Sequence, residues 1–241
     1  MKTTPTPTMS PKEDISDRWR DIHGVHECEG LLDPIHPLLH IEIVKYSEFT
    51  QATYDALDID SFSEYCGSCM YNSHKLFDKS GHTKSGYKVT KYNKSSASEQ
   101  VMKELKTLVD FYKTKGEQVS LTITGHSLGG ALSLLNAYDS ATNFQKLPIS
   151  VISFAAPRVG NIAFCDELYQ MGVKILRVTL KQDLVPRMPR IVLNESLQKF
   201  DDLTGTLEWI YTHVGAELKL DVRSVKNSYL FVPIGPQGVS V

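Results

Sequence analysis

A chain of 241 residues, 41% of them hydrophobic, can bury one sizeable core and reads as a single domain. Its 26 basic and 28 acidic residues leave a formal net charge of −2 with no basic cluster, which excludes the electrostatic footprint of a nucleic-acid binder. No apolar run approaches the ~18 residues needed to cross a bilayer, so a lipid would have to be met at an interface.

The opening dozen residues, MKTTPTPTMSPK, carry no acid and lack the apolar centre of a secretory signal. The remnant of an organelle transit peptide and a plain disordered tail over residues 1–14 both fit. Residues 38–56 read as an amphipathic helix with Leu39, Ile43, Tyr46 and Phe49 near one face. Of the cysteines Cys28, Cys66, Cys69 and Cys165, two form a C-x-x-C at Cys66 and Cys69. No second pair completes a zinc site and no strand leads into it as in a redox motif. A loop feature, with a local disulfide as an open alternative, is the preferred reading. Residues 86–92 suggest a short strand. The S-A-S-E run at 96–99 is a capping box that announces a helix with Val101, Leu105, Leu108 and Tyr112 on its apolar face. Gly116 is placed to end it.

Residues 119–139, VSLTITGHSLGGALSLLNAYD, carry the strongest signal. Val119, Leu121 and Ile123 alternate with polar residues in the period of a strand; Ala131, Leu134, Leu135 and Tyr138 then recur with the period of a helix. Between them Ser127 stands flanked by Gly125 and Gly129, a G-x-S-x-G in a strand–turn–helix context, as in the nucleophile elbow of α/β-hydrolases. Such a turn strains the serine backbone, and side chains two residues to either side are expected to collide, hence the glycines. The Leu128 amide, opening the next helix, is expected to point where an oxyanion would form. Further on, 149–155 is an apolar run of strand length, a loop and short helix lead to Gly172, and 173–180 reads as another buried strand. This succession implies a parallel sheet with right-handed crossovers.

In such sheets the acid of a Ser–acid–His triad lies on a loop after a strand. Asp183, just past the strand ending at Leu180, fits that place; its alternative is a loop aspartate shaping the turn before Pro186. His213 is the only histidine beyond it. Residues 210–220 alternate cleanly, with Ile210, Thr212, Val214, Ala216, Leu218 and Leu220 on one face, so His213 falls inside a strand and is expected to be structural. His126, inside the elbow, is expected to point away from the serine hydroxyl.

The motifs GHSLGG (125–130), FAAPRVGN (154–161), DLVP (183–186) and YTHVG (211–215), together with WRDIHG (19–24), GLLDP (30–34) and YCGSC (65–69), resemble the plant class 3 lipases of phospholipase A1 type, the plastid-associated acylhydrolases. The resemblance runs in order to about Leu220. It implies an α/β-hydrolase with a mainly parallel sheet, and divides the chain into an N-terminal helical segment (15–95), a hydrolase core (96–222) and a divergent tail (223–241). It implies cleavage of the sn-1 ester of glycerophospholipids, with galactolipids and triacylglycerols as side substrates. Ser127 would be the nucleophile and Asp183 the triad acid, with no metal or cofactor. The partner would be lipid at a membrane or droplet surface, and the compartment the chloroplast, with the cytoplasm as alternative.

Two departures from that family set further expectations. Between Tyr92 and Ser96 the family carries several strands, a lid and the turn supplying a second oxyanion donor. Its catalytic histidine lies well beyond the Tyr-x-His-Val-Gly segment, in a region that the residues up to Val241 do not resemble. A truncated chain with weak or no turnover, binding lipid or a partner, is therefore the alternative to an active hydrolase.

Overall fold

Short apolar runs alternating with amphipathic helices assemble the sheet. The computed structural model describes residues 14–63, 66, 68–81, 87–89, 98–188 and 211–221. Its helices are α1 (Ile15–Ile22), α2 (Pro37–Asp55), α3 (Leu76–Lys79), α4 (Ser98–Thr114), α5 (Leu128–Asn143) and α6 (Ile162–Gln170). Four strands, β1 (Leu121–His126), β2 (Ile149–Phe154), β3 (Lys174–Leu180) and β4 (Ala216–Leu220), form one sheet in that order. Every pairing is parallel, with Leu121 opposite Ile149, Ser150 opposite Lys174 and Leu176 opposite Ala216. Parallel neighbours cannot share a tight turn, and α5 makes the crossover from β1 to β2 and α6 that from β2 to β3.

Both faces are covered, and β2 is buried at every position, as expected of a central parallel strand. On one face Ile152, Phe154, Leu176 and Val178 pack with Ile22, Leu39, Ile43 and Tyr46 from α1, α2 and the residues around them. On the other, Ile149, Val151 and Ile175 pack with Val109, Leu134, Ala137 and Leu168 from α4, α5 and α6.

Three expectations shift. In α5 the buried set is Ala131, Leu134 and Ala137, while Leu128, Leu132 and Leu135 form an exposed stripe. The small residues let the helix lie close to the sheet, and the larger leucines face outward. In α4 the deepest residue is Val109 and Tyr112 is exposed. The 86–92 strand falls partly outside the described residues, and 87–89 have no regular structure; the Ser96 cap also lies outside them. Residues 210–220 are not one strand. Among residues 211–220 only Ala216–Leu220 joins the sheet, Thr212 makes an isolated antiparallel bridge to Gly160, and Val214 packs on the α5 side whereas Leu218 packs on the α2 side. The break is Gly215, at φ 89, where an added Cβ would lie 2.4 Å from the Ile175 carbonyl oxygen.

A buried polar cluster fastens α1 and α2 to the N-terminal half of the sheet. His23 Nε2 meets Glu42 Oε2 at 2.8 Å, and its Nδ1 lies 3.1 Å from Ser150 Oγ and 3.2 Å from Thr122 Oγ1. Lys45 pairs with the same carboxylate. These hydrogen bonds hold the Glu42 carboxyl below its ordinary value, although burial opposes them. Removing one charge from such a cluster strands the others. Glu42→Gln should therefore cost about 3 kcal/mol of unfolding free energy, read by urea denaturation.

Candidate active site

The corner between β1 and α5 is set by close backbone contact. A Cβ on Gly125 would sit 2.3 Å from the carbonyl carbon of Gly129, so only glycine allows the helix to start where it does. The expected collision at Gly129 is absent, since a Cβ there meets nothing within 4 Å. The second tight position is Gly130, whose Cβ would fall 2.7 Å from Ala156 Cβ. It lets the loop after β2 dock on the first turn of α5.

Ser127 adopts φ 53 and ψ −122, a region costly for any residue but glycine, by about 1–3 kcal/mol. The surroundings hold it there. Its amide donates to the Phe154 carbonyl at 2.9 Å, and its carbonyl accepts from Gly130 N at 3.0 Å and Ala131 N at 3.2 Å. The serine is half-buried, at the end of the strand and before the first helical residue. As the opening residue of α5, Leu128 has an amide with no carbonyl one turn earlier in the helix to bond, at the positive end of the helix dipole.

Asp183 lies beyond the C-terminal end of β3, on the rim where Ser127 emerges. Its Oδ1 accepts from Val185 N at 2.9 Å, so it does shape the turn that Pro186 enters. That carboxylate also acts on the elbow: its charge pulls the His126 imidazole upward, while burial pushes it down further, to a net value below the ordinary one. His126 turns Nδ1 toward the hydroxyl of Tyr54 at 2.8 Å, with the two rings edge to face. Tyr54, at the end of α2, is a site neighbour that no local motif announces, because 72 residues separate it from His126.

His213 precedes β4 in irregular chain and does not lie within the strand. Its Nε2 donates to the Pro186 carbonyl at 2.8 Å, bracing the turn that carries Asp183. Burial, with Arg177 and Arg158 nearby, lowers its pKa to about 4. Among the described residues no imidazole hydrogen-bonds the Ser127 hydroxyl. Cys66 and Cys69 are both free thiols, which corrects the disulfide alternative; Cys69 is buried with Sγ 3.2 Å from the Tyr71 carbonyl. Among the described residues no cluster of His, Cys, Asp and Glu could hold a metal.

The family profile for lipase (class 3) matches residues 51–193. The chloroplastic phospholipase A1-Igamma1 of Arabidopsis thaliana is 30% identical over 86% of this chain and 62% of its own. The chloroplastic galactolipase DONGLE of the same plant is 28% identical over 88% of this chain and 67% of its own. The chain spans about three fifths of the length of the phospholipase A1-Igamma relatives. The alignment with the first covers 321 positions, more than the 241 residues present here, so that relative carries segments with no counterpart in this chain. Among solved structures, the Rhizomucor miehei triacylglyceride lipase superposes with a TM-score of 0.40 at 27% identity, over 52% of this chain and 43% of that one.

Two outcomes follow from this geometry. Gly125→Ala should lose more than about 3 kcal/mol of stability, since backbone rather than a side chain must move. Gly129→Ala should be neutral or up to about 1 kcal/mol more stable, and urea unfolding separates the two. Because the folded pKa of His213 lies below the unfolded one, near 6.5, the unfolded state binds the proton first. Stability should therefore fall as pH drops from about 6.5 toward 4, and His213→Gln should flatten that dependence in melting curves.

Proposed function

We propose, for a chain that belongs to the class 3 lipase family and has its α/β-hydrolase fold, a serine acylhydrolase acting on the acyl esters of polar lipids. The observation that carries this is Ser127 at φ 53, a half-buried hydroxyl on a strained corner between the end of a parallel strand and the start of a helix. In the proposed reaction Ser127 Oγ attacks the ester carbonyl carbon, and the carbonyl oxygen takes up negative charge. The Leu128 amide faces that charge from the head of α5, where an N–H and the helix dipole favour an anion. Collapse of the intermediate breaks the ester C–O bond; the proton given up by Ser127 Oγ passes to the departing alkoxide, which leaves as the lyso-lipid alcohol, and water cleaves the acyl-serine to the free acid and Ser127. Asp183 is the acid that would orient a histidine base.

The names of the relatives support a finer reading. Glycerophospholipid cleavage at the sn-1 position, with galactolipids as a second substrate, fits the phospholipase A1 and galactolipase relatives; chloroplast is the compartment they suggest. The lipid would be met at a membrane or droplet surface, because among the described residues no helix is long and apolar enough to cross a membrane.

A second reading, a lipid-binding family member with little turnover, is favoured by one observation. The two rim imidazoles are committed elsewhere, His126 to Tyr54 and His213 to Pro186. A sn-1-labelled fluorogenic phospholipid given to the purified chain and to Ser127→Ala decides between them. Weak turnover that the substitution abolishes is expected, together with fluorophosphonate labelling of the parent alone. Absence of both turnover and labelling in the parent would establish the second reading.

A further inference from the structure

The loop that follows α2 carries two apolar side chains that nothing in the fold uses. Phe62 is 97% exposed and Ile59 73% exposed, among the most solvent-facing large apolar side chains of the described residues. The loop holding them is built rather than slack. Its two arms are joined by Asp58 N to the Ser68 carbonyl at 2.9 Å, Met70 N to the Ala56 carbonyl at 2.8 Å, and a bridge between Leu57 and Cys69. At the tip, the buried Asp58 carboxylate accepts from Asp60 N at 3.0 Å and from Ser63 Oγ at 2.5 Å. Asp60 Oδ1 accepts from Phe62 N at 2.9 Å. An ordered tip that displays a phenyl and a sec-butyl group to water is a candidate docking surface when further apolar groups share its edge.

Its place identifies the occupant. α2 runs alongside β1 in the same sense: Glu42, in its first half, reaches Ser150 near the start of β2 through His23, and Tyr54, at its end, touches His126 at the end of β1. The loop therefore leaves from the rim on which Ser127 stands, and Ile59, five residues on, lies within about 18 Å of Tyr54. The same rim exposes Leu128 and Leu132 beyond the serine, Ile162 at the head of α6, and Leu184 after Asp183. Apolar groups at one edge, around a nucleophile for acyl esters, face a hydrocarbon surface. The charge of the loop narrows the choice of surface. Asp55 and Asp60 are exposed beside the apolar pair, and no Lys or Arg occurs between Lys45 and Lys75. An anionic surface would be repelled there.

We infer that residues 57–63 form a membrane anchor, inserting Ile59 and Phe62 into a lipid surface of zwitterionic or uncharged headgroups so that Ser127 faces it. The inference rests on the acylhydrolase reading for its lipid partner and extends it to the docking element and the headgroup charge.

Sedimentation with vesicles tests it without any turnover, using the full chain in a Ser127→Ala background. Phosphatidylcholine vesicles should be bound, and phosphatidylglycerol vesicles bound more weakly. Phe62→Ala should weaken the phosphatidylcholine partition about tenfold, and Ile59→Ala with Phe62→Ala about a hundredfold, the scale expected for two buried apolar side chains. Both variants should melt as the parent does, because neither side chain contributes to the core. The inference is overturned by no binding to phosphatidylcholine, by variants that bind like the parent, or by a preference for phosphatidylglycerol. Self-association of the parent that Phe62→Ala abolishes, in place of vesicle binding, would make a second copy the occupant and also overturn it. Hydrolysis of a soluble short-chain ester by the chain with its native Ser127 separates the two readings. Esterase activity without vesicle binding defeats the anchor alone, and vesicle binding without esterase activity defeats the hydrolase alone.

Discussion

At the end of β1 the backbone of Gly125 lies so close to that of Gly129 that no side chain fits between them. The rest of the rim is referenced to this approach. Because α5 must start there, Ser127 is forced into a left-handed conformation and its hydroxyl is carried off the strand axis. The same start leaves the Leu128 amide directed outward at the head of the helix. Gly130 extends the constraint to a second layer, by letting Ala156 rest on the first turn. Ala155, the residue before, also takes a positive φ, of 51, and its amide bonds to the Val178 carbonyl. Strain at two neighbouring corners is thus held by hydrogen bonds across three strands.

The electrostatics of the rim follow from what surrounds it. One carboxylate, Asp183, is fixed by Val185 N, and the carbonyl of the next residue is held by His213. Burial holds both imidazoles, His126 and His213, below their ordinary pKa. Further from the rim, Arg177 on β3 pairs with Glu217 on β4 at 3.6 Å, and Thr179 Oγ1 adds a hydrogen bond to the same carboxylate at 2.9 Å. Arg177 is only 8% exposed, and this charged pairing complements the apolar contacts of Ala216, Leu218 and Leu220 in seating β4.

The segment before the sheet is part of the site rather than an appendage to it. Its first half is fixed by the His23–Glu42 pair and by apolar packing against β2 and β3. Its far end brings Tyr54 to the elbow and leads into residues 57–63 at the edge that carries Ser127. One helix therefore couples the stability of the sheet to the geometry at the rim.

The local pattern was sufficient wherever physics acts over a few residues. The alternation in β1, the buried runs of β2 and β3, the glycine before the serine and the position of Asp183 after a strand were all legible in the sequence. Three things were not, each for the same reason. The buried face of α5 depends on how closely the helix lies to the sheet, which small residues decide and periodicity does not. The alternation through His213 predicted one strand, but the Ile175 backbone approaches Gly215 and breaks it, turning a strand position into a brace for the turn that holds Asp183. Tyr54 reaches His126 across 72 residues. Sequence alone determined which residue carries the hydroxyl and which elements flank it, because these depend on backbone sterics between near neighbours. Only the tertiary structure decided which glycines are indispensable, what the histidines bind and what the rim exposes, because those depend on contacts between segments that the chain order keeps far apart.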